Sequence, residues 1–320
     1  MSPMRLAAQW YFDLELRPTH PRPYRWIPRP FRTAFRLLLI RTGDPVCFFK
    51  VGNYRITAPI SHELPFVLRT WPHYMSSLGR LAILVRDKYP DLTIVDIGAN
   101  IGDTAAFIHS HVKCPILCIE GHPRYLELLR ANIERLGLPV TIAPTFVAGT
   151  EARKAVHVQS FSGTAEIVEV VRGTDFVNFQ TLTHVLQLHR QFLSSKLLKI
   201  DTDGFDCEII QYSGDVLRKT KPIVYFEYDL HLSDQRPRKA FDVFATLASW
   251  GYAAFMFHSN VGDYLATVRA DQVELLRDID GYFRGRKSLM YCDVTAFPSD
   301  DLDICEKARA GELTYFERFR

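Results

Sequence analysis

The sequence predicts an α/β fold, with a mostly parallel seven-stranded sheet, helices on both faces and an N-terminal extension. Three observations carry that prediction. From Leu92 onward, short apolar runs alternate with helical segments, the signature of successive strand–helix units. The runs are apolar throughout rather than alternately polar, as strands covered on both faces must be. Apolar residues make up 47% and charged residues 23% of 320, which provides for a sizeable core.

Taken in order, residues 1–45 form a Pro/Arg-rich arm. Pro18, Pro21, Pro23, Pro28 and Pro30 lie among arginines and aromatics, so residues 1–30 are expected to be irregular or extended. Arg32 to Arg41 (RTAFRLLLIR) is short, basic and amphipathic, fit either to pack on the main domain or to lie on a membrane surface. A subdomain over 46–90 has two short strands around the Gly52-Asn53 turn, then a helix over 73–88 that stops before Pro90. The main domain spans 91–296. Its strands are predicted at 92–97, 116–120, 140–143, 196–200, 222–227 and 288–294, with helices at 104–112, 123–136, 206–217, 236–250 and 271–283. Residues 154–171 read as a hairpin, and 252–258 with 264–268 as a late strand pair adding an antiparallel edge. Residues 297–320 are expected to form a helical tail.

Net charge is only +3, but it is unevenly spread. Residues 1–90 hold fourteen Lys and Arg against five Asp and Glu, whereas 91–320 hold twenty-five against thirty-one. A basic front either attracts an anionic surface or polymer or is simply a solvated face. The six cysteines form no CxxC pair and have no histidine cluster beside them, so neither a disulfide framework nor a zinc site is predicted. A reducing, cytoplasmic setting is expected on that basis. No run approaches the ~18–20 apolar residues that span a bilayer.

The stretch IVDIGANIGDT, residues 94–104, carries the chemistry. It stands where a strand meets a helix, the place at which such sheets bind ligands. Gly98 and Gly102 permit a tight turn and close approach of a ligand to the backbone, and Asn100 tolerates a left-handed conformation. Glu120 ends the next strand, 22 residues after Gly98, and can accept both hydroxyls of a ribose. A pyrophosphate loop prefers G-x-G-x-x-G. Here Asn100 replaces the middle glycine, and Asp96 adds negative charge that opposes a dinucleotide. The pattern suits S-adenosylmethionine, a nucleoside with a cationic tail, with Asp96 receiving its amino group directly or through water. In the bland alternative Asp96 caps the turn and Glu120 lies in solvent.

With these residues the chain resembles the FkbM family of S-adenosylmethionine-dependent methyltransferases. The resemblance covers roughly 53–294 and rests on SHELP (61–65), VDIGANIGDT (95–104), CIEGHPRYLELLRANI (118–133), LLKIDTDGFDCEII (197–210) and PIVYFEYD (222–229). It implies a class I methyltransferase, Rossmann-like fold and O-methylation of small molecules or glycans. It also implies cofactor contacts from Asp96, Gly98, Asn100, Gly102, Thr104, Glu120 and Gly121. The family's commoner motif reads KID-x-EG, so Asp203 stands here one methylene shorter than glutamate.

Methyl transfer to oxygen needs an aligned acceptor and a route for its proton. Asp201 and Asp203 are the candidates to orient or deprotonate a hydroxyl, with Lys199 and His231 as alternative bases. His62 and His122 fall in the matching stretches and are candidates to line the pocket. Paired acids also suit a divalent cation, or alternatively a helix N-cap network over 201–206. Ser162-Gly163-Thr164 either closes over the cleft or is a plain hairpin turn. The leading expectation is O-methylation of a sugar hydroxyl on a glycan or related metabolite. An RNA methyltransferase drawing on the basic front and a cofactor-binding protein without turnover are the competing readings, and nucleic acid is the less favoured partner because no recognition motif accompanies the arginines.

Overall fold

The computed structural model describes residues 3–17, 19–161, 164–169, 176–233, 239–284 and 290–318, with the side chains of 22 and 152–177 excepted. The chain begins with helices α1 (Pro3–Glu15), α2 (Arg22–Arg25) and α3 (Arg29–Arg41), followed by the hairpin β1 (Val46–Val51) and β2 (Tyr54–Pro59). Helices α4 (Leu64–Thr70) and α5 (Ser76–Lys88) lead into β3 (Ile94–Ile97), α6 (Asp103–His109), β4 (Ile116–Ile119), α7 (Pro123–Leu136) and β5 (Val140–Ala143). Strands β6 (Phe146–Val147), β7 (Ala152–Phe161), β8 (Thr164–Glu169) and β9 (Phe176–Gln180) form a small separate sheet. The chain returns through α8 (Leu182–Leu188), β10 (Leu197–Ile200), α9 (Asp206–Tyr212), α10 (Gly214–Thr220), β11 (Ile223–Tyr228), α11 (Leu230–Ser233) and α12 (Asp242–Ser249). It ends with β12 (Tyr252–Ser259), β13 (Tyr264–Arg269), α13 (Val273–Arg284), β14 (Cys292–Pro298) and α14 (Leu302–Glu317).

The main sheet has the order β13-β12-β14-β11-β10-β3-β4-β5. Strands β11, β10, β3, β4 and β5 are mutually parallel, while β14 runs antiparallel to both β11 and β12. The sheet therefore has eight strands rather than seven, because the predicted strand pair 252–268 adds β13 as an edge. The last long strand is Cys292–Pro298 where 288–294 was expected, residues 288 and 289 lying outside the described residues.

The central strands β3, β4 and β10 are four residues long and buried on both faces, as their unbroken apolar character requires, whereas the edge strands β5 and β13 are partly exposed. Val95, Ile97, Leu198, Ile200, Val224 and Phe226 meet α8, α9, α10 and α12 on one side. Ile94, Ile116, Leu197 and Ile223 meet α5, α6, α7 and α14 on the other. The chain leaves β3 toward β4 on one side and returns as β10 on the other, so the switch point lies between β3 and β10.

The front of the chain departs from the sequence reading. Residues 3–15 are helical rather than irregular, because the five prolines all lie beyond them. Pro3 starts the helix, where a missing N–H costs little. Pro23 and Pro30 likewise fall in the first turns of α2 and α3. Ala8, Tyr11, Phe12 and Leu39 pack with Cys47 and Ile60, which fastens both long helices to the β1–β2 hairpin. The hairpin is held in turn by Asn132 of α7, whose amide meets the backbone N–H, backbone carbonyl and hydroxyl of Thr57 at 2.8–3.0 Å. All six cysteines are free and buried.

Candidate active site

A cavity of about 480 Å³ opens at the C-terminal ends of β3, β4, β10 and β11. Gly98 and Asn100 of the 98–102 turn line it. Gly98 (φ +76°) could carry no side chain, since a Cβ would lie 1.8 Å from the Asp201 carbonyl of the neighbouring strand end. Asn100 takes the left-handed conformation expected of it (φ 47°). His62 is buried, and burial lowers its pKa to about 4, so its ring is neutral. The Leu64 N–H donates to Nδ1 at 3.2 Å, which leaves Nε2 to carry the proton facing Asn100 Oδ1 at 3.4 Å. His62 thus lines the cleft and orients Asn100, whereas His122 packs its ring against Tyr125, with centroids 4.6 Å apart.

Glu120 is 7% exposed and lines the cavity. The Asn100 N–H donates to Oε2 at 2.8 Å and the His122 N–H to Oε1 at 2.6 Å. Each oxygen keeps lone pairs for a further donor. Burial raises the carboxyl to about 7, against the opposing pull of those amides. Gly121 and Thr104 also line the cavity, and a Cβ on Gly121 would strike the Phe146 ring. Gly102 (φ 84°) is outside the lining and serves the turn before α6.

Asp96 does not stand where the sequence reading put it. It is fully buried and outside the cavity lining. Strand alternation and register explain this. Asp96 of β3 is paired directly with Lys199 of β10, and both point to the same covered face. Lys199 Nζ lies 3.1 Å from Asp96, 3.3 Å from Asp201 and 3.1 Å from the Gly98 carbonyl. Burial lowers the Lys199 pKa, but the carboxylates outweigh it and hold the ammonium charged. Lys199 is therefore a fixed cation and not a base. Through Asp201 and the Gly98 carbonyl it ties the two strand ends together.

His231 is also misplaced as a base, being exposed on α11 and outside the lining. Its N–H donates to Asp229, which caps α11. Asp201, Asp203, Glu227 and Asp229 do line the cavity. The expected N-cap network over 201–206 does not form: α9 starts without a side-chain cap, and Asp206 instead accepts from Thr202 N and Oγ1 at 3.2 and 2.8 Å, bracing the turn ahead of the helix. Glu227 is raised well above the usual carboxylate range, first by burial and then by Asp201 and Asp206. Among the described residues, no group of three or more His, Cys, Asp or Glu could hold a metal ion. Residues 162 and 163 of the suggested Ser162-Gly163-Thr164 closure lie outside the described residues.

The sequence reading missed several lining residues: Trp71, Tyr74, Asp103, Asn260, Tyr291 and Asp293. Only Asp103 had a visible signal, inside IVDIGANIGDT. Burial raises it to about 7, and Asp293, which accepts from Tyr225 Oη at 2.8 Å, rises to about 7 for the same reason. The others come from distant segments that only the fold brings together.

An adenosine moiety fits what is present. A buried carboxylate with free lone pairs stands at the end of β4, glycine-lined backbone lies beside it, and Ile119, Phe146, Val147 and Phe205 provide an apolar wall.

Residues 96–254 match the family model described as the methyltransferase FkbM domain. No curated protein matches. Among solved structures, the chain is similar to methyltransferase FkbM from Methylobacillus flagellatus KT (13% identity, TM-score 0.34, 50% of this chain and 36% of that one). It is similar also to precorrin-6y C5,15-methyltransferase from Geobacter metallireducens GS-15 (14%, TM-score 0.38, 69% and 88%). A third is the METTL16 MTase domain (11%, TM-score 0.44, 82% and 78%). The chain thus spans about a third of the Methylobacillus protein's length. The matched residues hold the glycine turn, Glu120 and the acids that end β10 and β11, and they form an FkbM methyltransferase domain, a family that implies S-adenosylmethionine as methyl donor, on a class I methyltransferase-like fold.

Proposed function

We propose that this protein O-methylates a sugar hydroxyl on a glycan or glycosylated metabolite. The observation that carries the reading is the lining of the cavity beyond Glu120. It combines Asp201, Asp203, Glu227 and Asp229 with Tyr74, Asn260 and Tyr291, a set rich in acceptors for hydroxyl protons. Lys199 is the one Lys or Arg among the described lining residues. Such a field favours a neutral polyol and opposes a phosphate polymer, which argues against RNA in this cleft.

Glu120 would hold the ribose hydroxyls, and the 98–102 turn and Thr104 would flank the rest of the cofactor. When bound there, S-adenosylmethionine supplies an electrophilic methyl group. Asp201 is kept in place by Lys199 and projects into the cavity, where it can accept the acceptor's O–H as a hydrogen bond and fix the oxygen's direction. Glu227, on the neighbouring strand end and raised in pKa, is suited to take up that proton, since a carboxyl with a raised pKa is the stronger base once ionised.

Transfer of tritium from labelled S-adenosylmethionine to a glycan pool tests the reading. Failure to label any hydroxylated acceptor, while S-adenosylhomocysteine still binds, would overturn it. Glu227→Gln should lower turnover by ~10²–10⁴-fold, with S-adenosylhomocysteine affinity changed little.

A further inference from the structure

We infer that the outer face of the N-terminal helices docks on an anionic lipid bilayer. The inference stands apart from the methyl-transfer reading and rests on how α1 and α3 divide their side chains. Inward, α3 buries Leu39 and packs Phe35 and Ile40 against the hairpin cluster. Outward, Phe31, Ala34 and Leu38 follow one helical stripe, and Phe31 is 69% and Leu38 56% exposed. Helix α1 exposes Leu6 and Trp10 opposite its buried Ala8, Tyr11 and Phe12. Between the helices, Trp26 is 77% exposed and Ile27 is exposed beside it. These pieces belong to one layer, since Trp10 meets the Tyr24 ring at 6.0 Å and Tyr11 meets Phe35 at 5.9 Å.

The arginines divide in the same way. Arg32 pairs with buried Glu15 at 2.7 Å, and Arg36 with Glu63 at 2.9 Å. Arg36 also donates to the Ile60 and Ser61 carbonyls, which fastens α3 to the 62–64 segment lining the cleft. Arg25, Arg29 and Arg41 are exposed and pair with no acid among the described residues. Apart from the buried Glu15, the sole acid within these helices is the exposed Asp13.

Exposed tryptophan, phenylalanine and leucine beside unpaired arginines match the two components of a bilayer surface. The rings and alkyl chains enter the headgroup boundary while the guanidinium groups meet lipid phosphates and carboxylates. No described helix is long and apolar enough to cross a membrane.

Flotation of the full chain with phosphatidylcholine vesicles, with and without phosphatidylserine, tests this. Binding should require phosphatidylserine and weaken as salt rises. Arg25→Gln, Arg29→Gln and Arg41→Gln together should weaken binding on the order of 100-fold, about fivefold per arginine. Trp26→Ser with Phe31→Ser should also reduce it, while unchanged S-adenosylhomocysteine binding verifies the fold of every variant. No flotation on phosphatidylserine vesicles at low ionic strength would overturn the proposal. So would equal flotation of the arginine variant, or a vesicle-independent dimer that Trp26→Ser with Phe31→Ser dissociates, which would mark the face as a contact between copies.

Discussion

Glu120 concentrates the cofactor chemistry in one side chain. Its oxygens each take a backbone amide, so the carboxylate is oriented before any ligand arrives. Hydrogen bonds to a charged group are worth ~1.5–3 kcal/mol. Glu120→Gln should therefore weaken S-adenosylhomocysteine binding by roughly 10–100-fold, as measured by titration calorimetry. Because the carboxyl is raised to about 7, wild-type affinity should fall as pH drops through that value, and the variant should show a shallower slope. Asp203 makes a different point. Its φ is 50°, a region that aspartate tolerates better than residues with longer side chains. The shorter acid at this position of the motif is thus suited to the backbone it occupies. Asp203→Glu should cost ~1 kcal/mol in denaturant unfolding.

At the scale of elements, two contacts hold the site's supports in register. Lys199 sits among Asp96, Asp201 and the Gly98 carbonyl, binding β3 to β10 at the switch point. Lys199→Met leaves Asp96 buried beside no cation, and breaking such a pair costs ~3–5 kcal/mol. Chemical denaturation should show that loss, and the 98–102 turn should lose hydrogen-exchange protection with it. Asn132 performs the corresponding task for the β1–β2 hairpin. It also donates to the Ile101 carbonyl at 2.9 Å, so one buried amide links the hairpin to the cofactor turn. Asn132→Leu strands several buried backbone groups and should cost ~3 kcal/mol, with a weakening of S-adenosylhomocysteine binding transmitted through Ile101.

For the whole molecule, buried acids at and beside the cavity set a pH dependence of stability. Asp103, Glu120 and Asp293 are raised to about 7, and Asp206 to about 6, mainly by burial. In the unfolded chain such groups titrate near 4, so between about 4 and 7 the folded state binds more protons. Their contribution to stability is full below the unfolded values and is lost as pH rises through about 7. The Tm of the ligand-free protein should therefore decline from pH 5 to pH 8, as read by scanning calorimetry. A flat or rising profile would contradict the burial of these acids.

Short stretches of sequence suffice for the strand–helix order, the glycine turn with Glu120 one strand away, and the acids ending β10 and β11. These are local properties: apolar run length, the φ demands of Gly98 and Asn100, and turn placement. Even the helicity of residues 3–15 was there to read, since no proline interrupts that stretch. Which charges face the cavity follows instead from the folded arrangement of the strands. Asp96 and Lys199 lie 103 positions apart, and strand register alone pairs them, leaving Asp96 beneath the cavity and Lys199 at its edge. Register likewise decided that Asp293 would join Glu227 at the cleft. A side chain's neighbours across a sheet depend on pairing that no short stretch of sequence contains.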